Sequence, residues 1–363
     1  MKVDLIAGAR PNFMKIASII DAINVAQLEN KAIEYRLIHT GQHYDKNMSE
    51  SFFTQLSIPQ PHVNLGAGGG SQSEQTAAIM IGYEKLLMTE KSDLCLVVGD
   101  VNSTMACSIV AQKLHIPVAH VEAGIRSGDW TMPEEINRLV TDAITNFFFT
   151  TTLEASNKLK KSGITDDKIF WVGNTMIDTL LKHRNRFQQP SFWAELGLQK
   201  NDYLVMTLHR PANVDEDDKL KVLIDEIIAN SHGLPLIFPA HPRTAKILTK
   251  LSISYENLHI IEPLGYLEFN YLVENSRAVI TDSGGITEET TVMGVPCITL
   301  RDNTERPETV TIGTNELIGT DPRSIKPTME KLFSGKWKKG VIPELWDGKA
   351  GQRIVNTLVS LIK

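Results

Sequence analysis

Short apolar runs rich in β-branched residues alternate with helical patterns along this chain, in two successive series, and few folds accommodate that order. The first series comprises Lys2 to Ala7, Tyr35 to Thr40, Leu94 to Val98, Val118 to Glu122, Asn146 to Thr150 and Lys168 to Val172. The second comprises Leu204 to Leu208, Leu236 to Pro239, Leu258 to Ile261, Ala278 to Thr281 and Pro296 to Leu300. Such spacing indicates βαβ units and parallel sheets covered by helices on both faces. With 363 residues the chain also exceeds what one core supports, so it reads as two doubly wound α/β domains. The pattern breaks at His183 to Pro190. This places the domains at 1–178 and 203–346, a linker at 179–202, and a closing helix at 347–363 that can pack on either domain. Binding is expected in the cleft between the two sheets.

Composition narrows the class. Against 43 acidic side chains stand 37 basic ones, for a formal charge of −6, and no Lys/Arg block suggests a nucleic-acid partner. Cys95, Cys107 and Cys297 lie in apolar segments without metal or disulfide spacing, which fits a reducing cytoplasm. No apolar run approaches membrane-spanning length, and the N-terminus lacks a cleavage-site pattern, so a soluble, non-exported protein is expected.

Ser276 to Val310 carries the densest signal. The run Ala278 to Thr281 ends on Asp282-Ser283-Gly284-Gly285, and Ile286-Thr287-Glu288-Glu289 then opens a helical pattern. The N–H groups and positive dipole end of a helix start form an anion site, and two glycines admit a ligand close to the backbone. A phosphate fits there. Taken alone, the turn is equally a helix cap, and Glu288 and Glu289 are equally first-turn partners of the dipole. Beside a bound phosphate, a carboxylate such as Glu289 serves instead as an acceptor for sugar hydroxyls. Val295 to Leu300 reads as the next buried strand, and Arg301 to Glu308 as a loop at its carboxyl end, where open α/β sheets bind ligands.

The first domain offers one cationic turn and three acidic ones. In Gly8 to Lys15, Pro11 suits the first helical position, while Arg10 and Lys15 stand near the positive helix end, where an anionic ligand explains them better than solvent. Gly99-Asp100-Val101-Asn102-Ser103-Thr104 ends one strand, His120 to Arg126 ends the next, and Met132 to Arg138, with Glu134 and Glu135, opens a helix. Singly, each acid reads as a cap or a dipole partner. Three clusters on one sheet edge would repel, raise one another's pKa, and so suit proton transfer. Thr40-Gly41-Gln42-His43 also ends a strand, and His43 alone reads as a hydrogen-bonded loop residue. Gly66 to Ser71 suggests a dinucleotide loop, yet no clear strand precedes it and Ser71 stands at the final glycine. It is read as a mobile loop before a helix at Ser73, with no NAD cofactor. Asp215-Glu216-Asp217 lies in a polar helix start, so no metal site is expected.

These elements, in this order, resemble the non-hydrolysing UDP-N-acetylglucosamine 2-epimerases. Gly8 to Lys15 resembles their G-T-R-P-E-x-x-K, with Ala9 and Asn12 as departures. Gly99 to Thr104, His120 to Arg126 and Pro133 to Arg138 resemble G-D-T-x-T, H-V-E-A-G-x-R and P-E-E-x-N-R. Gly173 to Asp178 resembles a G-N-x-x-x-D element of structural role. His209-Arg210-Pro211-Ala212-Asn213 resembles His-Arg-Arg-Glu-Asn with its middle pair replaced, and Pro263 to Phe269 resembles P-L-x-Y-x-x-F. The resemblance spans about residues 3 to 320. It implies a glycosyltransferase-B type pair of Rossmann-like domains and a homodimer. It assigns acid/base roles to Asp100, Glu122, Glu135 and His209, and UDP-sugar contacts to Arg10, Lys15, His43, Arg210, His241, Ser283, Gly284, Gly285, Glu289 and Arg306.

The implied reaction has a definite chemical requirement. The C2 proton of a 2-acetamido sugar has no adjacent carbonyl to acidify it, so UDP must depart from C1 before or as that proton leaves. Elimination to a 2-acetamidoglucal and re-addition of UDP after protonation of the opposite face inverts C2, and needs one proton carrier per face. The expected outcome is interconversion of UDP-N-acetylglucosamine and UDP-N-acetylmannosamine for surface polysaccharide precursors. The alternatives are epimerisation of UDP-2,3-diacetamido-glucuronate, a hydrolysing reaction that frees N-acetylmannosamine, and a regulatory protein that only binds nucleotide sugars.

Overall fold

A computed structural model describes residues 1–41, 53–214, 216–240, 242–251 and 253–361. The chain divides into two compact units, Met1–Lys182 with Glu344–Lys363, and His183–Pro343. In the first unit the strands are Lys2–Ala7 (β1), Glu34–His39 (β2), Val63–Asn64 (β3), Leu94–Val98 (β4), Val118–Val121 (β5), Phe147–Thr150 (β6) and Ile169–Trp171 (β7). They form one parallel sheet ordered β3-β2-β1-β4-β5-β6-β7. All five residues of β4 are buried, as helices on both faces require. Leu5 of β1 is in register with Leu37 of β2 and Leu96 of β4, giving a row of fully buried leucines at the sheet centre.

The second unit repeats the plan. Leu204–Thr207 (β8), Leu236–Pro239 (β9), Leu258–Ile261 (β10), Ala278–Thr281 (β11), Cys297–Thr299 (β12) and Asn315–Leu317 (β13) form a parallel sheet ordered β10-β9-β8-β11-β12-β13. Leu204, Met206 and Phe238 pack with Ile224 and Ile227 on one face, while Val205, Ile237 and Val279 pack with Leu272 and Val273 on the other. In both sheets the strand order reverses direction next to the first strand, between β1 and β4 and between β8 and β11. At such a switch point the helices leave on opposite faces and a crevice opens at the carboxyl ends of the strands.

Several sequence expectations change. Both β3 and β13 were absent from the strand pattern, because two or three residues, three of the five polar, give no periodicity to read. A strand therefore does precede Gly66 to Ser71, and that stretch is no free loop. Ala67 N–H donates to Thr40 O at 2.8 Å, and a Cβ on Gly68 would lie 2.6 Å from Gly41 O. Ser71 then caps the Gln72–Thr89 helix, its hydroxyl accepting from the Glu74 N–H and its own N–H donating to the Glu74 carboxylate. The closing segment forms the Ala350–Leu361 helix of the first unit, where Asp178 accepts from the N–H groups of Ala350 and Gly351 at 3.1 and 2.7 Å. Among the described residues, no helix is long and apolar enough to cross a membrane.

Two glycines separate backbone conformation from packing. Gly163 and Gly173 both have left-handed φ, +89° and +93°, but a Cβ meets nothing at Gly163 and would lie 2.0 Å from Leu345 O at Gly173. Gly163→Ala should cost about 1–2 kcal/mol of unfolding free energy. Gly173→Ala should add about 1–3 kcal/mol of overpacking to the same strain. Equal losses for the two variants in chemical denaturation would contradict this placement of the Leu345 segment.

Candidate active site

The first unit gathers its site residues at the carboxyl edge of β1, β4 and β5. Arg10 is the first residue of the Arg10–Leu28 helix, and one turn on, Lys15 Nζ reaches Glu122 Oε2 at 2.7 Å with both side chains buried. Glu122 follows β5 with φ at +71°, a costly conformation for a non-glycine residue that marks a position held by its surroundings. Gly99, at the end of β4, also has positive φ, and a Cβ there would stand 3.6 Å from Lys15 Nζ and 3.9 Å from Glu122 Oε2. Asn12 locks the same turn, since its Oδ1 accepts from the N–H groups of Gly8 and Ala9 and its Nδ2 donates to Val98 O.

Arg138 joins the other two acids. From the Pro133–Ala143 helix its Nε and Nη2 donate to Asp100 Oδ2 at 3.0 and 2.5 Å, and its Nη1 donates to Glu135 Oε2 at 2.7 Å. Glu135 also accepts from the N–H groups of Ser127 and Gly128 and from the Ser127 hydroxyl. Burial pushes the Glu135 carboxyl up, yet the donors of Ser127, Arg138 and Gly128 outweigh it and hold the group below the ordinary range. Behind this layer, His120 places Nδ1 at 2.7 Å from Asp142 Oδ1 and Nε2 at 2.9 Å from Gly99 O, while Arg126 lies 2.6 Å from Asp142 Oδ2. Burial again opposes ionisation of Asp142, but His120 and Arg126 keep its pKa low. Glu135 and Asp142 are thus held below the ordinary range, not raised as clustering of acids suggested. Cations are interleaved between them.

In the second unit the carboxyl ends of β8, β11 and β12 carry the remaining residues. The helix after β11 is Gly284–Met293, two residues longer at its start than the sequence suggested, and Ser283 makes no side-chain cap. Glu288 and Glu289 therefore lie buried in the second turn, and not in the first, where they would be partners of the dipole. Arg306 Nε contacts Glu288 Oε1 at 2.5 Å, and the Tyr266 hydroxyl donates to Glu289 Oε1 at 2.8 Å. Arg210 donates from Nε to Asp282 O and lies 3.7 Å from Glu305, which Arg301 grips at 2.6 Å. His209 is exposed, with Nδ1 2.6 Å from the fully buried Asp282.

Thus Lys15 and Glu122 meet directly, Asp100 and Glu135 meet through Arg138, and His209, Arg210 and Ser283 to Gly285 share the Asp282 turn. His43 and His241 lie outside the described residues. Sequence reasoning missed Arg138, Asp142, Asp282 and Arg301 as site residues. Arg138 had a readable signal, three residues after Glu135 on one helix face; the partners of Asp142 and Asp282 are distant in sequence.

Glu289 yields a pH test. Burial, with a smaller contribution from Glu288 and against the Tyr266 hydrogen bond, lifts its carboxyl from the ordinary 4.5 to about 7. The folded chain thus keeps a proton that the unfolded chain has released. Stability tied to Glu289 is complete below the unfolded value and is lost as pH rises through about 7, on the order of 3 kcal/mol in all. Denaturation of the wild type should lose that much relative to Glu289→Gln between about pH 4.5 and about pH 8; parallel pH profiles would contradict it.

A family model described as UDP-N-acetylglucosamine 2-epimerase matches residues 26–359. The UDP-N-acetylglucosamine 2-epimerase of Methanocaldococcus jannaschii is 43% identical, over 99% of each chain. The crystal structure of the Methanocaldococcus jannaschii UDP-GlcNAc 2-epimerase with UDP-GlcNAc and UDP superposes with a TM-score of 0.87 at 42% identity, covering 99% of this chain and 100% of that one. The UDP-2,3-diacetamido-2,3-dideoxy-D-glucuronate 2-epimerase of Pseudomonas aeruginosa is 40% identical, over 99% of this chain and 100% of its own. Two parallel-sheet units of the glycosyltransferase-B class, with carboxylates and cations paired at the strand ends of the first, accompany this likeness, and the chain belongs to the UDP-N-acetylglucosamine 2-epimerase family.

Proposed function

We propose that the protein interconverts UDP-N-acetylglucosamine and UDP-N-acetylmannosamine without releasing the sugar. The observation that carries this reading is the set of first-unit acids, Asp100, Glu122 and Glu135, each held by a cation at one sheet edge. A protein that only binds a dianionic nucleotide has no use for three carboxylates. The relatives supply the substrate class.

The diphosphate is assigned to the second unit, at the start of the Gly284–Met293 helix with Arg210 and Arg306, and Glu289 is assigned to sugar hydroxyls. Arg10 and Lys15 add positive charge for the leaving group. The C1–O bond breaks, its electron pair leaving on the β-phosphate oxygen, while the C2 proton passes to a base and a C1=C2 double bond forms. A proton then reaches C2 from the opposite face, and a terminal oxygen of the β-phosphate adds to C1. Asp100, Glu122 and Glu135 with His209 are the assigned proton carriers. Both Arg138 donors to Asp100 go to Oδ2, which leaves Oδ1 as the atom for exchange, and Glu135 enters as an anion. His43 and His241 remain assigned to substrate contact by resemblance. A homodimer is assigned on the same ground, and the three free, buried cysteines support a cytoplasmic setting.

The Pseudomonas aeruginosa relative favours a second substrate, the diacetamido-glucuronate, and direct competition between the two sugars decides between them. Proton NMR of the purified protein with UDP-N-acetylglucosamine in deuterated water should show UDP-N-acetylmannosamine appearing with deuterium at C2. Asp100→Asn, Glu122→Gln and Glu135→Gln should each lower kcat by roughly 10²–10⁴-fold. Product with protium retained at C2 would contradict proton exchange at that carbon, and free N-acetylmannosamine would make the enzyme hydrolysing.

A further inference from the structure

Asp282 directly follows β11 and is completely buried, yet it adjoins the turn assigned to phosphate, where a negative charge is unfavourable. Its contacts explain its presence. Oδ2 accepts from Arg210 N–H at 2.9 Å and Asn213 Nδ2 at 3.0 Å, the His209 N–H lies 3.1–3.2 Å from both oxygens, and Oδ1 faces His209 Nδ1 at 2.6 Å. Burial raises the carboxyl's pKa, but His209, Asn213 and the Arg210 N–H overcome it, and the group is ionised. An ionised carboxylate only accepts, so His209 Nδ1 is the donor.

We infer that Asp282 is a positioning residue for His209: it fixes the imidazole with Nδ1 protonated and Nε2 as the acceptor, and stabilises the imidazolium when Nε2 takes a proton. The inference rests on the reading of His209 as a proton carrier. His209 is more than half exposed, and without a buried partner its ring would sample both tautomers and several rotamers. The position that the resemblance fills with glutamate, three residues after His209, is Ala212 here. The carboxylate facing the histidine comes instead from β11. Because Asp282 also precedes Ser283-Gly284-Gly285 directly, one side chain registers the histidine turn against the anion turn.

Asp282→Asn keeps an acceptor oxygen for the backbone donors but removes the charge and can present an N–H to Nδ1. Long-range proton–nitrogen NMR of the histidine rings near pH 8, with the His209 signals assigned by their loss in His209→Gln, reads the tautomer directly. The wild type should carry the proton on Nδ1, and Asp282→Asn should move it towards Nε2. In the same variant kcat should fall roughly 10²-fold or more with KM little changed. His209→Gln/Asp282→Asn should be no slower than His209→Gln alone. A proton on Nε2 in the wild type, which needs no variant to fold, overturns the inference, as does an unchanged tautomer in Asp282→Asn or additive losses in the double variant. Full activity of His209→Gln overturns the catalytic reading of His209 itself, and the tautomer result then reports separately on whether Asp282 orients the ring.

Discussion

Pairing of buried carboxylates with fixed cations is the interaction on which the first unit depends. Carboxylates crowded at a sheet edge without partners would protonate or open the crevice. Lys15 on Glu122, Arg138 across Asp100 and Glu135, and Arg126 on Asp142 allow four acids to remain together. The same pairing sets the chemistry. Glu135, for example, is fixed by Arg138 and by the N–H groups of Ser127 and Gly128 and is held as the anion, as preorganised electrostatics requires. Glu122 carries local strain in its positive φ, while Gly99 takes the same region without cost, and both turns come close enough to pair.

The second unit solves a different problem with related means. In the proposed function it presents positive potential to a diphosphate from a chain whose net charge is negative. A helix start with two glycines supplies N–H groups that close approach leaves accessible. The acids nearby are turned inward, Glu288 to Arg306 and Glu305 to Arg301, so they orient the guanidinium groups. Glu289 is the exception: it is buried beside Glu288 and accepts from the Tyr266 hydroxyl, and burial raises its pKa.

Much of this was legible in the sequence. Two series of apolar runs gave both sheets, because strands of four to six residues with β-branched side chains separate cleanly from helical periodicity. The edge strands β3 and β13 escaped since they are two and three residues long. The onset at Gly284 was missed because glycine is a poor helix former, and only the structure shows that the Gly-Gly pair lies inside the first turn. The acids at strand ends were visible as candidates, but their charge states were not. Arg138 sits 38 positions from Asp100, and Asp282 sits 73 from His209, distances that no local pattern spans. The donors that make the pKa values of Glu135 and Asp142 fall rather than rise, the Ser127 N–H with Arg138 and the Gly128 N–H for the first, His120 with Arg126 for the second, are brought together by the fold.

Departure of UDP from C1 is the step that every assigned role serves, and oxygen labelling tests it directly. UDP-N-acetylglucosamine carrying oxygen-18 at the bridge between C1 and the β-phosphorus can be incubated with the enzyme and followed by phosphorus NMR. Cleavage of the C1–O bond frees the β-phosphate to rotate, so the label should scramble into the non-bridging positions in molecules recovered during epimerisation. Epimerisation with the label still confined to the bridge would show that the bond to UDP stays intact, and would contradict elimination as the route to C2 inversion.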